Sequence, residues 1–315
     1  MTNTILMALA PVFFVMALGY GAGRWGVVNN QKVASLNALV MDFALPASLF
    51  VATASAPRAE LVAQLPLFAV LGVVMLTLYI VSYAFQRRYS NASPADSSLQ
   101  ALTIAFPNLA GVGLPIVAAV IGPAGTVQLA VALAAGSILI SPIALVTLEL
   151  NRGKEDLGRS KFNKVLTAFR NALTKPVVIA PVIGILISLF NGSLNPVLEA
   201  CLQLIAHSAA GVALFLTGLI LSSQTFKLNG KLIAATGMAD IARPLLAAAV
   251  VYLFQIPSEA ARVAILMAAV PSGFFGILFA VNYRLDSATT GSMVIASTVF
   301  SIATLATAIL VLFPH

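Results

Sequence analysis

Apolar residues in this chain do not alternate with polar ones at the period of a half-exposed strand, nor do they form the single stripe of a surface helix. They run in continuous blocks separated by short polar breaks. The pattern predicts helices near 5–24, 33–55, 65–86, 98–121, 126–149, 176–190, 196–222, 231–255, 260–282 and 288–313. A bilayer's hydrocarbon core is crossed by about 20 apolar residues in a helix. The expected fold is therefore all-α and membrane-embedded, with ten transmembrane helices. The first block lacks the basic leader of a cleavable signal peptide and is read as a retained span.

Composition excludes the soluble alternatives. Sixty percent of the 315 residues are hydrophobic and 9% are charged, against about 25% charged in soluble domains. The net charge of +7 does not indicate nucleic acid, because the basic residues sit in the breaks and form no basic and aromatic surface. Of the 17 Lys and Arg residues, fourteen fall in the breaks on one side, Arg58 and Arg262 on the other, and Arg243 within a helix (14 + 2 + 1 = 17). Positive charge is retained in the cytoplasm, so the expected placement is the cell inner membrane, multi-pass, with both termini outside the cytoplasm. The lone Cys201 excludes an intrachain disulfide and a cysteine-rich metal site.

The longest polar stretch divides the chain into 1–150, a cytoplasmic linker 151–174, and 175–315. Five spans on each side is an odd number, so the second half begins on the opposite face and any repeat is inverted. A matched pair of interruptions supports that relation. The fourth span contains Phe106-Pro-Asn-Leu-Ala-Gly-Val-Gly-Leu-Pro115, and the ninth contains Val270-Pro-Ser-Gly-Phe-Phe-Gly276. Pro107 and Pro271 are 271 − 107 = 164 residues apart, and the same offset carries the second span onto the seventh and the third onto the eighth.

Proline removes a helix N–H and displaces the carbonyl four residues earlier, and freed backbone groups cannot face lipid. They turn to protein or to a polar cavity. Half-helices starting near Asn108 to Gly113 and Ser272 to Phe275 would present N–H groups and positive dipole ends, which suit a carboxylate. The expected substrate-binding residues are thus Pro107, Asn108, Gly111, Gly113, Pro271, Ser272 and Gly273.

These motifs, with Pro11-Val-Phe-Phe-Val-Met-Ala-Leu-Gly-Tyr-Gly21, Leu36-Asn-Ala-Leu-Val-Met-Asp-Phe-Ala-Leu-Pro-Ala-Ser-Leu-Phe50, Phe279-Ala280, Tyr283, Asp286 and Ser297-Thr298, resemble the auxin efflux carrier family over nearly the full length. Its bacterial members include malonate carriers. The resemblance implies two inverted five-helix repeats, with helices four and nine crossing at their prolines beside the substrate, and elevator-like alternating access. It also implies secondary active transport of small organic anions such as auxins, malonate or other carboxylates. Ser272, where plant members place asparagine, and Arg243 before Pro244 depart from the common pattern and argue against plant-like auxin selectivity.

Charged groups within spans cost about 2.5–3.5 kcal/mol each on insertion scales and so are functional candidates. Asp42 lies mid-span, and Pro46 frees its carbonyl, giving an expected site for sodium or a proton. Asp240, whose carbonyl Pro244 frees, is a further candidate for ion coupling; it shares a helical face with Arg243 and can pair with it, and Arg243 is a candidate for a substrate carboxylate, or for an internal structural pair. Histidine side chains change charge near neutral pH, so His207 is a candidate for proton coupling. Tyr79, Asn37, Ser297 and Thr298 are weaker candidates for ion or lining contacts.

No cofactor is expected beyond a coupling ion, sodium or proton, and the expected partners are a carboxylate, lipid and a second copy as homodimer. Two histidines cannot build a histidine-cluster metal site, and neither a prenyl-transfer aspartate motif nor a Walker sequence is present, so an enzyme is not expected. The rival carriers are a sodium-coupled bile-acid-type symporter and an uncoupled anion channel of similar fold.

Overall fold

The computed structural model describes residues 2–30, 32–122, 125–151, 173–223 and 229–314, with isolated positions between 163 and 170. The expected linker 151–174 lies largely outside the described residues.

Each expected segment is helical: α1 Thr2–Arg24, α2 Ala34–Ala54, α3 Arg58–Ala63, α4 Leu65–Tyr89, α5 Pro94–Ala105, α6 Leu114–Val120, α7 Val127–Leu150, α8 Pro176–Leu189, α9 Pro196–Ser223, α10 Gly230–Leu253, α11 Ser258–Ala269, α12 Phe275–Asn282 and α13 Ala288–Leu312. Among the described residues, α2, α4, α7, α9, α10 and α13 are each long and apolar enough to cross a membrane. The chain is an all-helical, multi-pass membrane protein. Its outer surface agrees with that solvent, since Phe14, Leu245 and Val299 are all more than 60% exposed on helix faces, which lipid tolerates and water does not.

Prolines shape these helices locally. Pro46, Pro115, Pro142 and Pro244 each stand second in a helical stretch that follows a widened, π-helical turn: Leu39–Ala44, Leu109–Gly113, Gly136–Ile140 and Met238–Ala242. The extra residue in the wide turn makes room for the proline ring and absorbs the missing N–H, so α2, α7 and α10 continue through their prolines.

Packing divides the helices into two groups. In one, α1 lies along α9, and α2 packs on α8 and on the first half of α9. In the other, α4 contacts α5, α7, α10 and α11, while α13 contacts α5, α10 and α11. The groups meet where α1 and α9 touch the turn before α6 and α6 itself, and where α2 touches α7.

Candidate functional site

The residue before a proline is forced out of helical backbone, and both interrupted segments obey. Phe106 (φ −96°, ψ 104°) ends α5 and Val270 (φ −60°, ψ 139°) ends α11 in extended conformation. Two short extended pieces then cross antiparallel, with Pro107 bridged to Ser272. The Asn108 N–H donates to Pro271 O at 2.8 Å and the Gly273 N–H to Thr103 O at 3.1 Å. Gly273 is required here, because a Cβ would stand 2.0 Å from Phe106 O. The Phe106 ring stacks on Phe275 with centroids 4.6 Å apart. It fits against α7 because Gly136 has no side chain; a Cβ there would lie 2.4 Å from the ring.

Breaking two helices leaves two sets of carbonyls without partners at their C-terminal ends. Arg243, fully buried on α10, supplies the donors. Its Nε donates to Ala268 O at 2.8 Å, one Nη to Ile104 O at 2.5 Å and the other to Val270 O. One guanidinium thus ties the ends of α5 and α11 together, and its charge suits the negative ends of both dipoles. One turn earlier, Asp240 Oδ1 accepts from Ser297 Oγ at 2.6 Å, and that same Oγ accepts the Ser272 N–H at 2.7 Å. The crossing is therefore tied to α10 and α13 by side chains as well as by its own backbone.

The sequence reading expects open N–H groups after each proline, and the structure differs. Besides those of Asn108, Ser272 and Gly273, the N–H groups of Val112 and Gly113 donate to Asn108 O, at 2.9 and 3.0 Å, and that of Gly111 to Asn108 Oδ1 at 3.0 Å. The bridge and the wide turn before α6 consume the donors because extended and π-helical backbone can reach partners that a regular helix start cannot. Among the side chains there, Asn108 Nδ2 is buried and has no hydrogen-bond partner.

A cavity of about 360 Å³ opens between the two groups of helices. Eleven of its fourteen lining residues are apolar, from Leu45 to Val51 on α2, Ala110 of the wide turn, Leu129 and Leu133 on α7, and alanines of α9. Its three polar side chains are Ser48, Gln203 and His207. Gln203 and His207 lie one turn apart on α9, and His207 sits at a kink in that helix, between Ala206 and Ser208.

A sequence model of a family described as membrane transport protein matches residues 4–309. The chain belongs to this family, that of the auxin efflux carriers. It is a transporter, not an enzyme. It is 28% identical to the uncharacterized transporter YfdV of Escherichia coli (strain K12), with 89% of each chain covered. It is 23% identical to an uncharacterized transporter of Methanothermobacter thermautotrophicus, with 96% of each covered. Auxin efflux carrier component 8 of Arabidopsis thaliana is 22% identical, over 89% of this chain and 90% of that one.

In this member of the auxin efflux carrier family, the structure brings Pro107, Asn108, Pro271, Ser272, Gly273, Arg243 and Asp240 together at the crossing, with Gly111 and Gly113 in the turn that follows. His207 lines the cavity. Asp42 is exposed on α2 and lines neither the cavity nor the crossing. Among the described residues no three His, Cys, Asp or Glu side chains gather as a metal site. Ser48 and Gln203 went unread because a single polar residue in an apolar block carries no signal by itself. The pairing of Gln203 with His207 at i, i+4 on one face was the available clue.

Proposed function

We propose that this transporter carries a small monocarboxylate with an apolar body, bound in the cavity between the two groups of helices. The observation that carries this reading is the cavity's asymmetry. Apolar walls cover most of it, while Gln203 and His207 offer polar contacts from α9, and the unpartnered Asn108 Nδ2 lies beside the turn that contributes Ala110. A volume near the small end of ligand pockets suits a small solute. His207 is the single ionisable side chain among the lining residues, which supports one carboxylate better than the two of malonate. Complete burial and three carbonyl contacts support Arg243 as the brace of the crossing, not as a substrate contact.

The architecture proposed with it is ten spans in two inverted five-helix repeats, halves 1–150 and 175–315, with both termini outside the cytoplasm. The antiparallel crossing of two proline breaks supports the inversion, and the charge partition supports the orientation. The group of α4, α5, α7 and α10 to α13 holds the crossing and would move as one body against α1, α2, α8 and α9, giving elevator-like alternating access by secondary transport.

The test is counterflow of labelled phenylacetate and malonate in proteoliposomes, against protein-free liposomes. Phenylacetate counterflow that falls in Gln203→Ala and Asn108→Ala is the expected result. Malonate carried in preference to phenylacetate overturns the monocarboxylate assignment. Counterflow of neither overturns the carrier reading.

A further inference from the structure

Among the described residues, nine buried side-chain polar atoms have no hydrogen-bond partner, and Asp240 Oδ2 is the one that belongs to an ionisable group. The residue is 1% exposed. Its other oxygen is held by Ser297, and the nearby Arg243 directs Nε and both Nη atoms at backbone carbonyls. An oxygen so placed lacks one thing that a proton supplies. A sodium ion would need several oxygens around it, but Ser297 Oγ is already committed on both sides and a guanidinium stands close by.

At the basic-loop ends of the helices lies a polar cavity of about 430 Å³, lined among others by Ser90, Gln100, Asn229, Lys231, Asp286 and Thr289. Leu232 and Met293 line it as well. The same two side chains pack with Ile104, Ala235 and Ala239 in a small apolar cluster separate from the main core. Ala239 adjoins Asp240 in the chain, and Met293 is one turn from Ser297. One apolar layer therefore separates the polar cavity from the buried carboxyl.

We propose that Asp240 Oδ2 is a proton-binding site, loaded from the polar cavity across the Ile104, Leu232 and Met293 layer, and that its occupancy sets the tension on the crossing. The proton comes from water in that cavity on one side of the membrane and leaves to water on the other side once the group of helices that holds the crossing has moved. With Asp240 ionised, the bond from Ser297 is charge-assisted and roughly twice as strong as with the neutral acid. Since Ser297 Oγ also holds the Ser272 N–H, protonation loosens the tie between α10, α13 and the break in α11–α12.

The ionisable groups on the surrounding helices do not compete for this role. Asp96 and Lys231 begin α5 and α10, Glu259 and Arg262 lie in the first half of α11, and Arg87 and Arg88 end α4. Tyr79 on α4 is bonded to Ser98 and stacked on Tyr83, and α12 and α13 carry no ionisable side chain within their bounds. Arg243 is the charge that faces Asp240.

The proton site stands without the transport reading, whereas its role in coupling rests on that reading, so the experiment separates them. Infrared difference spectra of the purified full chain, taken between alkaline and acidic buffer, report the carbonyl stretch of protonated carboxylic acids. A band that titrates in the wild type and in Asp42→Asn but is lost in Asp240→Asn is expected. The same band in Asp240→Asn overturns the proposal. If that variant does not fold, Ser297→Ala replaces it: a shifted pH midpoint is expected, and an unmoved midpoint overturns the assignment.

In proteoliposomes, the wild type is expected to accumulate phenylacetate or malonate in response to an imposed pH gradient, beyond protein-free liposomes. Asp240→Asn is expected to lose that response relative to its own counterflow at equal pH. An unchanged response to the gradient in Asp240→Asn overturns the coupling role. Absent counterflow of both probes in the wild type removes the carrier reading, and the infrared result then decides the proton site.

Discussion

Replacing Arg243 by methionine keeps most of the buried volume of the stem and deletes the guanidinium. Three carbonyls, Ile104 O, Ala268 O and Val270 O, then lose their donors in a fully buried site. An unsatisfied buried group costs about 1–3 kcal/mol, so three cost about 3–9 kcal/mol. About 3 kcal/mol is a floor, a large share of the roughly 5–15 kcal/mol that keeps a protein folded. At about 2–4 °C per kcal/mol for chains approaching this size, Arg243→Met should melt at least about 6 °C below the wild type. Circular dichroism of the detergent-purified chain at one fixed scan rate measures this, since melts of such proteins are irreversible and depend on rate. Arg243→Lys should fall between the two, because one ammonium reaches some of the three carbonyls but lacks the planar fork. If Arg243→Met melts within about 2 °C of the wild type yet has lost counterflow, the residue serves the substrate, and the bracing account is refuted.

Three further substitutions test other links. Gly273→Ala puts a Cβ 2.0 Å from a backbone oxygen, and overpacking of this kind costs about 1–3 kcal/mol; a lowered melting temperature and yield are expected, and a wild-type melt would mean that the crossing is looser than its hydrogen bonds imply. Asn108→Ala removes the free Nδ2 donor, and a lost hydrogen bond to a charged group, about 1.5–3 kcal/mol, should raise the apparent KM for phenylacetate counterflow by about tenfold or more. Asp42→Asn changes an exposed side chain, so stability should stay within about 0.5 kcal/mol and counterflow should be retained; loss of counterflow there would restore Asp42 as an ion site.

The helices and their order were written in the chain by itself. Solvent decides them: blocks of about 20 apolar residues have one low-energy state in lipid, with every backbone group bonded inside its own helix. The breaks were legible for the same local reason, since Pro107 and Pro271 impose extended backbone on Phe106 and Val270 whatever surrounds them. The wide turns before Pro46, Pro142 and Pro244 were not legible, because a proline fixes the problem of a missing donor without fixing how the helix solves it. Tertiary structure alone decided where each freed group goes. Residues 165 apart in sequence, Pro107 and Ser272 with their neighbours, satisfy one another across the crossing, and Arg243, 139 residues from Ile104, satisfies carbonyls at the two helix ends. The expected open N–H groups of Asn108, Gly111, Ser272 and Gly273 are taken up by such contacts, and the cavity arose from side chains of α2, α7 and α9 that no local pattern connects. Hydrogen bonds and packing between distant segments depend on which helices touch, and that is fixed only when the apolar faces have found their partners.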